Sequence, residues 1–413
     1  MSSAVTDVRR VLLAPFGTYG DLAPFLPIGE ELRSRGTAVT FAGDRALMMG
    51  ARARGFQTVA IGPSQATTFS ADHAALGTRF GGYSSWRRVL NDYVTPALRD
   101  GLGDFERMWA RIEPDVVVHH PLALHARLSA RLRGIPTVAL HLHPMLYAAV
   151  CGSTRRGQFA LELGRLLRSV EREHDLPTLP RPSLRWGWGE RNVLLQDPAL
   201  LERAGVALPE FFDCPAIGFP TTEPPAPGIN DEPAVVDWRK DRRGARVAIS
   251  FGSFLGAMHA GLLIDVATAL GRDHSVLVMN APGETRQALE EEGIRAVGFV
   301  DFRSVGPWAD AMVHHGGLGT MMEALRAGVR SVVVPLAFDQ LWNGSVLERA
   351  GCGTVSAPSG PAVLASVGQT LDDECMLTQV NEVGSRLTRD AGAFACDVIE
   401  AEGAVGRPGE GCA

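Results

Sequence analysis

Lysine is nearly missing from this chain: of its 40 basic residues only Lys240 is not an arginine, a bias of the kind a GC-rich genome produces. Positive charge is in deficit too. A net charge of -6 and a pI near 6.0 exclude the basic footprint of a nucleic-acid binder. The six cysteines contain no C-x-x-C pair, so neither a zinc knuckle nor a disulfide-stapled scaffold is expected. No apolar run reaches the roughly 18 residues of a membrane span, and Asp7, Arg9 and Arg10 precede only a short apolar stretch, unlike a signal peptide. The expectation is a cytoplasmic, soluble protein. Its 413 residues, 46% hydrophobic and 21% charged, suffice for two domains of roughly 200 residues each.

Strand-length apolar runs at 11–15, 38–42, 115–118, 137–140 and 191–195 alternate with helical spacing at 22–35, 86–109 and 158–173. A second series follows, with runs at 246–249, 275–279, 296–300, 311–313 and 331–335 and helices at 262–270, 284–292, 305–308 and 321–327. This alternation predicts parallel sheets, hence an α/β fold built from Rossmann-like β/α/β units. The best linker is the Pro-rich, polar stretch 218–236. The expected division is therefore a first domain at 1–217, a second at 237–395, and a tail at 396–413 packing back on the first. Irregular loops at 64–69 and 81–83 resemble the insertions that hold substrates.

The richest stretch runs from 314 to 343. A buried strand breaks into Gly316-Gly317-Leu318-Gly319-Thr320 and restarts as a helix, and the next strand ends near Asp339-Gln340. A Gly-rich turn entering a helix favours anions, because the first amides lack helical partners and the helix dipole is positive there. Open α/β sheets bind ligands at such strand ends. Thr320 and Glu323 also fit a T-x-x-E capping box, a purely structural account of both. Ser250 and Ser253, after the first strand of the second domain, suit a phosphate contact or an ordinary tight turn. In the first domain Gly17-Thr18-Tyr19-Gly20-Asp21 lacks the G-x-G-x-x-G of dinucleotide binding, so NAD is not expected. Asp21 suits either a helix N-cap or a general base. His119, His120, His141 and His143 cluster at two strand ends, where they line a pocket, pack, or supply an alternative base. No carboxylate sits at ligand spacing to make them a metal site.

Taken together, His315, the glycine turn, Glu323 eight positions on, Gly328-Val329, Pro335 and Asp339-Gln340 with Asn343 beyond resemble the UDP-glycosyltransferase superfamily. Gly17 to Asp21 with Pro24 resembles its bacterial natural-product and antibiotic branch. The resemblance implies a GT-B fold, two Rossmann-like domains facing across a cleft, and an inverting glycosyltransferase of the hexosyltransferase type. The donor would be a UDP- or dTDP-sugar and the acceptor a small, lipophilic aglycone. By the same resemblance Asp21 would be the base. Ser250, Ser253, His315, Gly317, Gly319 and Thr320 would hold the diphosphate, Glu323 the ribose, and Asp339 and Gln340 the sugar. Phe302 and Arg303 would border the nucleobase. Tyr19, His120, His141 and His143 are acceptor-pocket candidates. Neither metal nor cofactor is implied, and the chain would act as a monomer or homodimer. The rival readings are a GT-B nucleotide-sugar epimerase and a non-catalytic homologue that binds a nucleotide sugar or activates a transferase. Arg330 stands where the family usually has proline, Thr37 where a histidine is common, and 301–304 lacks the plant W-x-P-Q.

Overall fold

The computed structural model describes residues 9–62, 89–142, 189–208, 215–221, 232–252, 259–336 and 339–405, with a few positions between 144 and 175. The loops expected at 64–69 and 81–83 lie outside the described residues, as do Ser253 and His143.

Among the described residues the strands form two six-stranded sheets, parallel throughout. The first contains β1 (Arg10–Ala14), β2 (Ala38–Gly43), β3 (Gln57–Ala60), β4 (Val116–His119), β5 (Thr137–His141) and β6 (Arg191–Leu194), in the order β3-β2-β1-β4-β5-β6. The second contains β7 (Arg246–Ser250), β8 (Ser275–Val278), β9 (Arg295–Ala296), β10 (Ala311–His314), β11 (Arg330–Val333) and β12 (Gly353–Val355), in the order β12-β11-β10-β7-β8-β9. Numbered within itself, each sheet runs three-two-one-four-five-six. The central strands are covered on both faces, which is why Val116, Val117 and Val118 are all fully buried instead of alternating.

In each sheet the strand order reverses between the first and fourth strands. That reversal opens a crevice at their C-terminal ends. Ala14 pairs with His119 at one crevice, and Ser250 with His314 at the other. The residues that follow these four strand ends are therefore the ones that reach a ligand.

Several boundaries differ from the sequence-based reading. The helix expected over 22–35 is two helices, Tyr19–Leu22 and Phe25–Ser34, parted at Pro24, which has no N–H for a helix ladder. Residues 89–94 are π-helical before the helix Thr95–Trp109, which carries Pro96 in its first turn. The strand expected over 296–300 is only Arg295–Ala296, because the chain turns so that Asp301 caps the next short helix, accepting from the Arg303 N–H at 2.9 Å. The helix expected from 321 begins at Leu318. The stretch expected as linker up to 236 is helical from Pro233. Buried Trp238 on that helix donates to the Ser275 carbonyl at 3.0 Å, which ties the helix to the second sheet.

The helix Ala391–Val405 lies against the first domain. Ala395, Cys396 and Ile399 are buried in one apolar group with Leu13, Ile28 and Leu32. Arg35 grips the same helix through Asp397 (2.6 Å) and Glu400 (2.9 Å), and Arg191 pairs with Glu402 at 2.9 Å. The ion pairs are partly solvated and contribute little; the apolar face does the fastening. Ile399→Ala is expected to cost about 2–5 kcal/mol of unfolding free energy, measured by urea titration. Arg35→Ala is expected to cost under ~1 kcal/mol.

Candidate active site

Asp21 enters the crevice on the four-residue helix Tyr19–Leu22, in a capping box with Thr18. Its Oδ2 accepts from the Thr18 N–H at 2.6 Å and from the Thr18 hydroxyl at 2.9 Å. The N-cap role expected of Asp21 belongs to Thr18; Asp21 stands at the third helical position, where Oδ2 serves the capping box and Oδ1 is turned elsewhere. Gly17, at φ +119°, makes this possible, since a Cβ there would lie 2.4 Å from Oδ2. Oδ1 stands 3.7 Å from His120 Nε2. His120 Nδ1 accepts from the Leu122 N–H at 3.2 Å, which leaves the neutral ring's proton on Nε2, facing Asp21. Burial lifts the Asp21 carboxyl to about 6; the two Thr18 hydrogen bonds oppose the lift, and Asp339 adds to it.

The second domain supplies the other wall. The helix Leu318–Arg326 begins at Gly317, and the amides of Leu318, Gly319 and Thr320 form the first turn, which helix geometry leaves without helical acceptors. Thr320 is thus inside that turn, and the T-x-x-E box expected from Thr320 and Glu323 does not form. His315 Nδ1 faces the Ser250 carbonyl at 3.4 Å, and burial lowers its pKa. Two glycines shape the space around its ring. A Cβ on Gly317 would sit 2.5 Å from His315 Nε2, and one on Gly252 would sit 3.1 Å from Cε1. Gly316 (φ +89°) lies against Val333 and the Gln340 backbone with no room for a side chain. Buried Asn343 spans the loop, its Nδ2 donating to the Gly316 carbonyl (2.8 Å) and to Asp339 Oδ2 (2.7 Å).

Asp339 shifts the titration of both Asp21 and His315. The charge of Asp339 thus reaches one group in each of the two crevices. Across the cleft Tyr19 and Phe299, both exposed, meet edge to face with ring centres 6.4 Å apart.

Other expected site residues sit differently. Ser250 is buried, and its hydroxyl accepts from Asn280 Nδ2 at 3.3 Å, so it stands behind His315 and supports it by its carbonyl. Gln340 is also buried, with Oε1 accepting from the Leu336 N–H at 2.7 Å; it fixes the loop in front of Asp339. His141 is buried and pairs through Nε2 with Asn192 Oδ1 at 3.1 Å. Phe302 is partly buried in the second domain against Gly306, where an added Cβ would be 2.7 Å from its ring. Arg303 grips Asp301 through Nε at 2.8 Å. Glu323, largely buried, pairs with Arg326 at 3.1 Å, and desolvation raises its pKa. The exposed aromatic here is Phe299, which the sequence reading passed over. Its signal was a bulky apolar residue between a strand end and the capping Asp301. Among the described residues no group of three or more His, Cys, Asp or Glu side chains is placed to hold a metal ion, and no helix is long and apolar enough to cross a membrane.

Two Rossmann-like sheets with facing crevices, one bearing a carboxylate and the other a glycine-lined helix start, give this chain the GT-B fold of the solved glycosyltransferases on which it superposes. Residues 263–394 match the family described as erythromycin biosynthesis protein CIII-like, C-terminal domain. The chain is 25% identical over 433 residues to the O-mycaminosyltylonolide 6-deoxyallosyltransferase of Streptomyces fradiae, covering 95% of this chain and 97% of that one. The spinosyn rhamnosyltransferase SpnG complexed with thymidine diphosphate superposes with a TM-score of 0.69 at 21% identity, covering 94% of this chain and 99% of that one. SpnG complexed with spinosyn aglycone gives the same score at 22% identity and the same coverage. The chain is thus similar to antibiotic glycosyltransferases.

Asp21 also affects stability. Its carboxyl holds a proton more tightly folded than unfolded, so its contribution is fully present below about pH 4 and is lost as the pH rises through about 6. Asp21→Asn is therefore expected to stabilise the protein by about 1–3 kcal/mol at pH 8 and by little at pH 4, read from urea melts at both. An equal gain at both would mean the carboxyl is not held protonated by the fold.

Proposed function

We propose that the chain transfers a sugar, with inversion, from a UDP- or dTDP-sugar to a hydroxyl of a small, lipophilic natural-product acceptor. The observation that supports this reading is that the two crevices meet: Tyr19, two residues before Asp21, packs edge to face on Phe299 of the second domain, and Asp339 lies near enough to raise the Asp21 carboxyl.

In this scheme Asp21 Oδ1 takes the acceptor's proton, since Oδ2 is held by Thr18. The acceptor oxygen forms its bond to the anomeric carbon from the face opposite the donor phosphate. The bond from that carbon to the phosphate oxygen breaks, and its electron pair leaves with the nucleoside diphosphate. The departing charge is met by the amides opening the helix Leu318–Arg326 and by the Thr320 hydroxyl; His315, whose Nδ1–H faces the Ser250 carbonyl, joins them through Nε2 on taking up a proton there. Asp339 would hold sugar hydroxyls and Glu323 the ribose. Phe299 would give the nucleobase a stacking face in place of Phe302. Tyr19 and His120 would border the acceptor. No cofactor or metal enters this scheme. The non-catalytic reading is disfavoured because Asp21 keeps its capping box and Oδ1 remains turned away from the cap. An epimerase would need no acceptor, so product analysis separates it.

A matrix of nucleotide sugars against polyketide and aromatic aglycones, scored by mass spectrometry for an added sugar, tests the reading. Asp21→Asn is expected to lower turnover by about 10²–10⁴-fold while leaving thymidine diphosphate affinity unchanged. Wild-type turnover in that variant would remove Asp21 as the base. With wild-type enzyme the acid limb of the rate profile is expected near pH 6.

The two glycines of the turn give a paired test. Gly317→Ala drives a methyl onto the His315 ring, whereas Gly319→Ala meets only the Phe219 ring at 3.4 Å. Calorimetric titration with thymidine or uridine diphosphate is expected to show affinity falling about tenfold or more in the first and under about threefold in the second. Equal losses would separate His315 from the diphosphate.

A further inference from the structure

We infer that Arg326 is a positioning residue that links the nucleotide-sugar site to the segment joining the two domains, an inference that rests on assigning Glu323 to the ribose. One guanidinium makes two contacts that belong to different parts of the molecule. Its Nη1 lies 3.1 Å from Glu323 Oε1, and its Nη2 donates to the Phe219 carbonyl at 2.8 Å. Glu323 is largely buried, so its carboxylate depends on this partner and on the nearby Arg303, itself engaged by Asp301.

Phe219 is not a loose tether. Just before it, the Ile217 N–H donates to the Leu194 carbonyl and the Gly218 N–H to the Gln196 carbonyl, which continues the edge of the first sheet. Gly218 adopts φ +92° in a space where a Cβ would lie 2.8 Å from Thr388 Cβ and 3.1 Å from Asp197 Oδ2. The Phe219 ring is buried and reaches Gly319, in the first turn of the helix Leu318–Arg326. The same residue therefore touches the helix twice, by its ring at the diphosphate end and by its carbonyl through Arg326 at the other.

The consequence is a short mechanical path: Glu323, Arg326, Phe219, then the first sheet's edge. A ribose that draws on Glu323 alters the ion pair, and the second arm of the fork carries the change to the linker carbonyl. Only arginine's planar fork serves both acceptors at once; a lysine ammonium can keep the carboxylate but has no second arm placed for the carbonyl.

The test combines calorimetry and hydrogen exchange on the full chain, with thymidine diphosphate and uridine diphosphate alone as probes. In wild type, saturating nucleotide is expected to slow amide exchange at 315–323 and also at 216–221. Arg326→Lys is expected to keep nucleotide affinity within about threefold and the slowing at 315–323, but to lose the change at 216–221. Arg326→Met is expected to lose affinity about tenfold or more. The inference is overturned if nucleotide leaves 216–221 unchanged in wild type, or if Arg326→Lys transmits the change as wild type does. Glu323→Gln is the separate control. Undiminished nucleotide affinity in that variant would refute the ribose assignment while the linker response in Arg326→Lys is still read directly.

Discussion

The site depends on one constraint of backbone pairing. In both sheets the first and fourth strands lie side by side in parallel, and their crossover helices leave toward opposite faces. No helix then covers the gap at their C-terminal ends, and the loops that emerge there face open space. Asp21 and His120 follow the two strands of one sheet; in the other, Ser250 ends one strand and His315 follows its neighbour. The chemistry of each half is thus placed by topology before any side chain contributes.

Within those crevices the residues are held by close approach. Gly17 gives way to the Asp21 carboxylate, Gly252 and Gly317 to the imidazole of His315, and Gly316 to the next strand and its loop. Asn343 then bonds the backbone of the glycine turn to Asp339. A site organised by glycines and backbone bonds pays little side-chain entropy when it is filled, and its groups stand pre-aimed. The cleft also carries its charges unevenly. Asp21, Asp339 and Glu323 are acidic, and the positive character at the glycine turn comes from a helix start and a histidine whose basicity burial suppresses.

The strand and helix alternation was legible because buried parallel strands read as plain apolar runs, such as 116–118 and 311–313. The glycine turn was legible because its spacing is dictated by the strand and helix it joins, and Asp21, His315 and Asp339 could be singled out because they stand at strand ends and helix starts. What escaped has a physical reason in each case. Ser250 and Gln340 have polar side chains that suit either a ligand or a protein neighbour, and only packing reveals that one meets Asn280 and the other the Leu336 N–H. Phe302 and Phe299 differ by three positions and share a chemistry; the early end of β9 and the cap at Asp301 decide which one is exposed. Arg326 gave no signal, because its partner Phe219 is more than a hundred residues away.

The placement of the helix Ala391–Val405 has a consequence for biogenesis. The apolar face it covers belongs to strands and helices made long before it. Until the ribosome has released that distant segment, the first domain stands with part of its core uncovered. Completion of the N-terminal half is therefore a late event, and the two halves mature together and not in sequence.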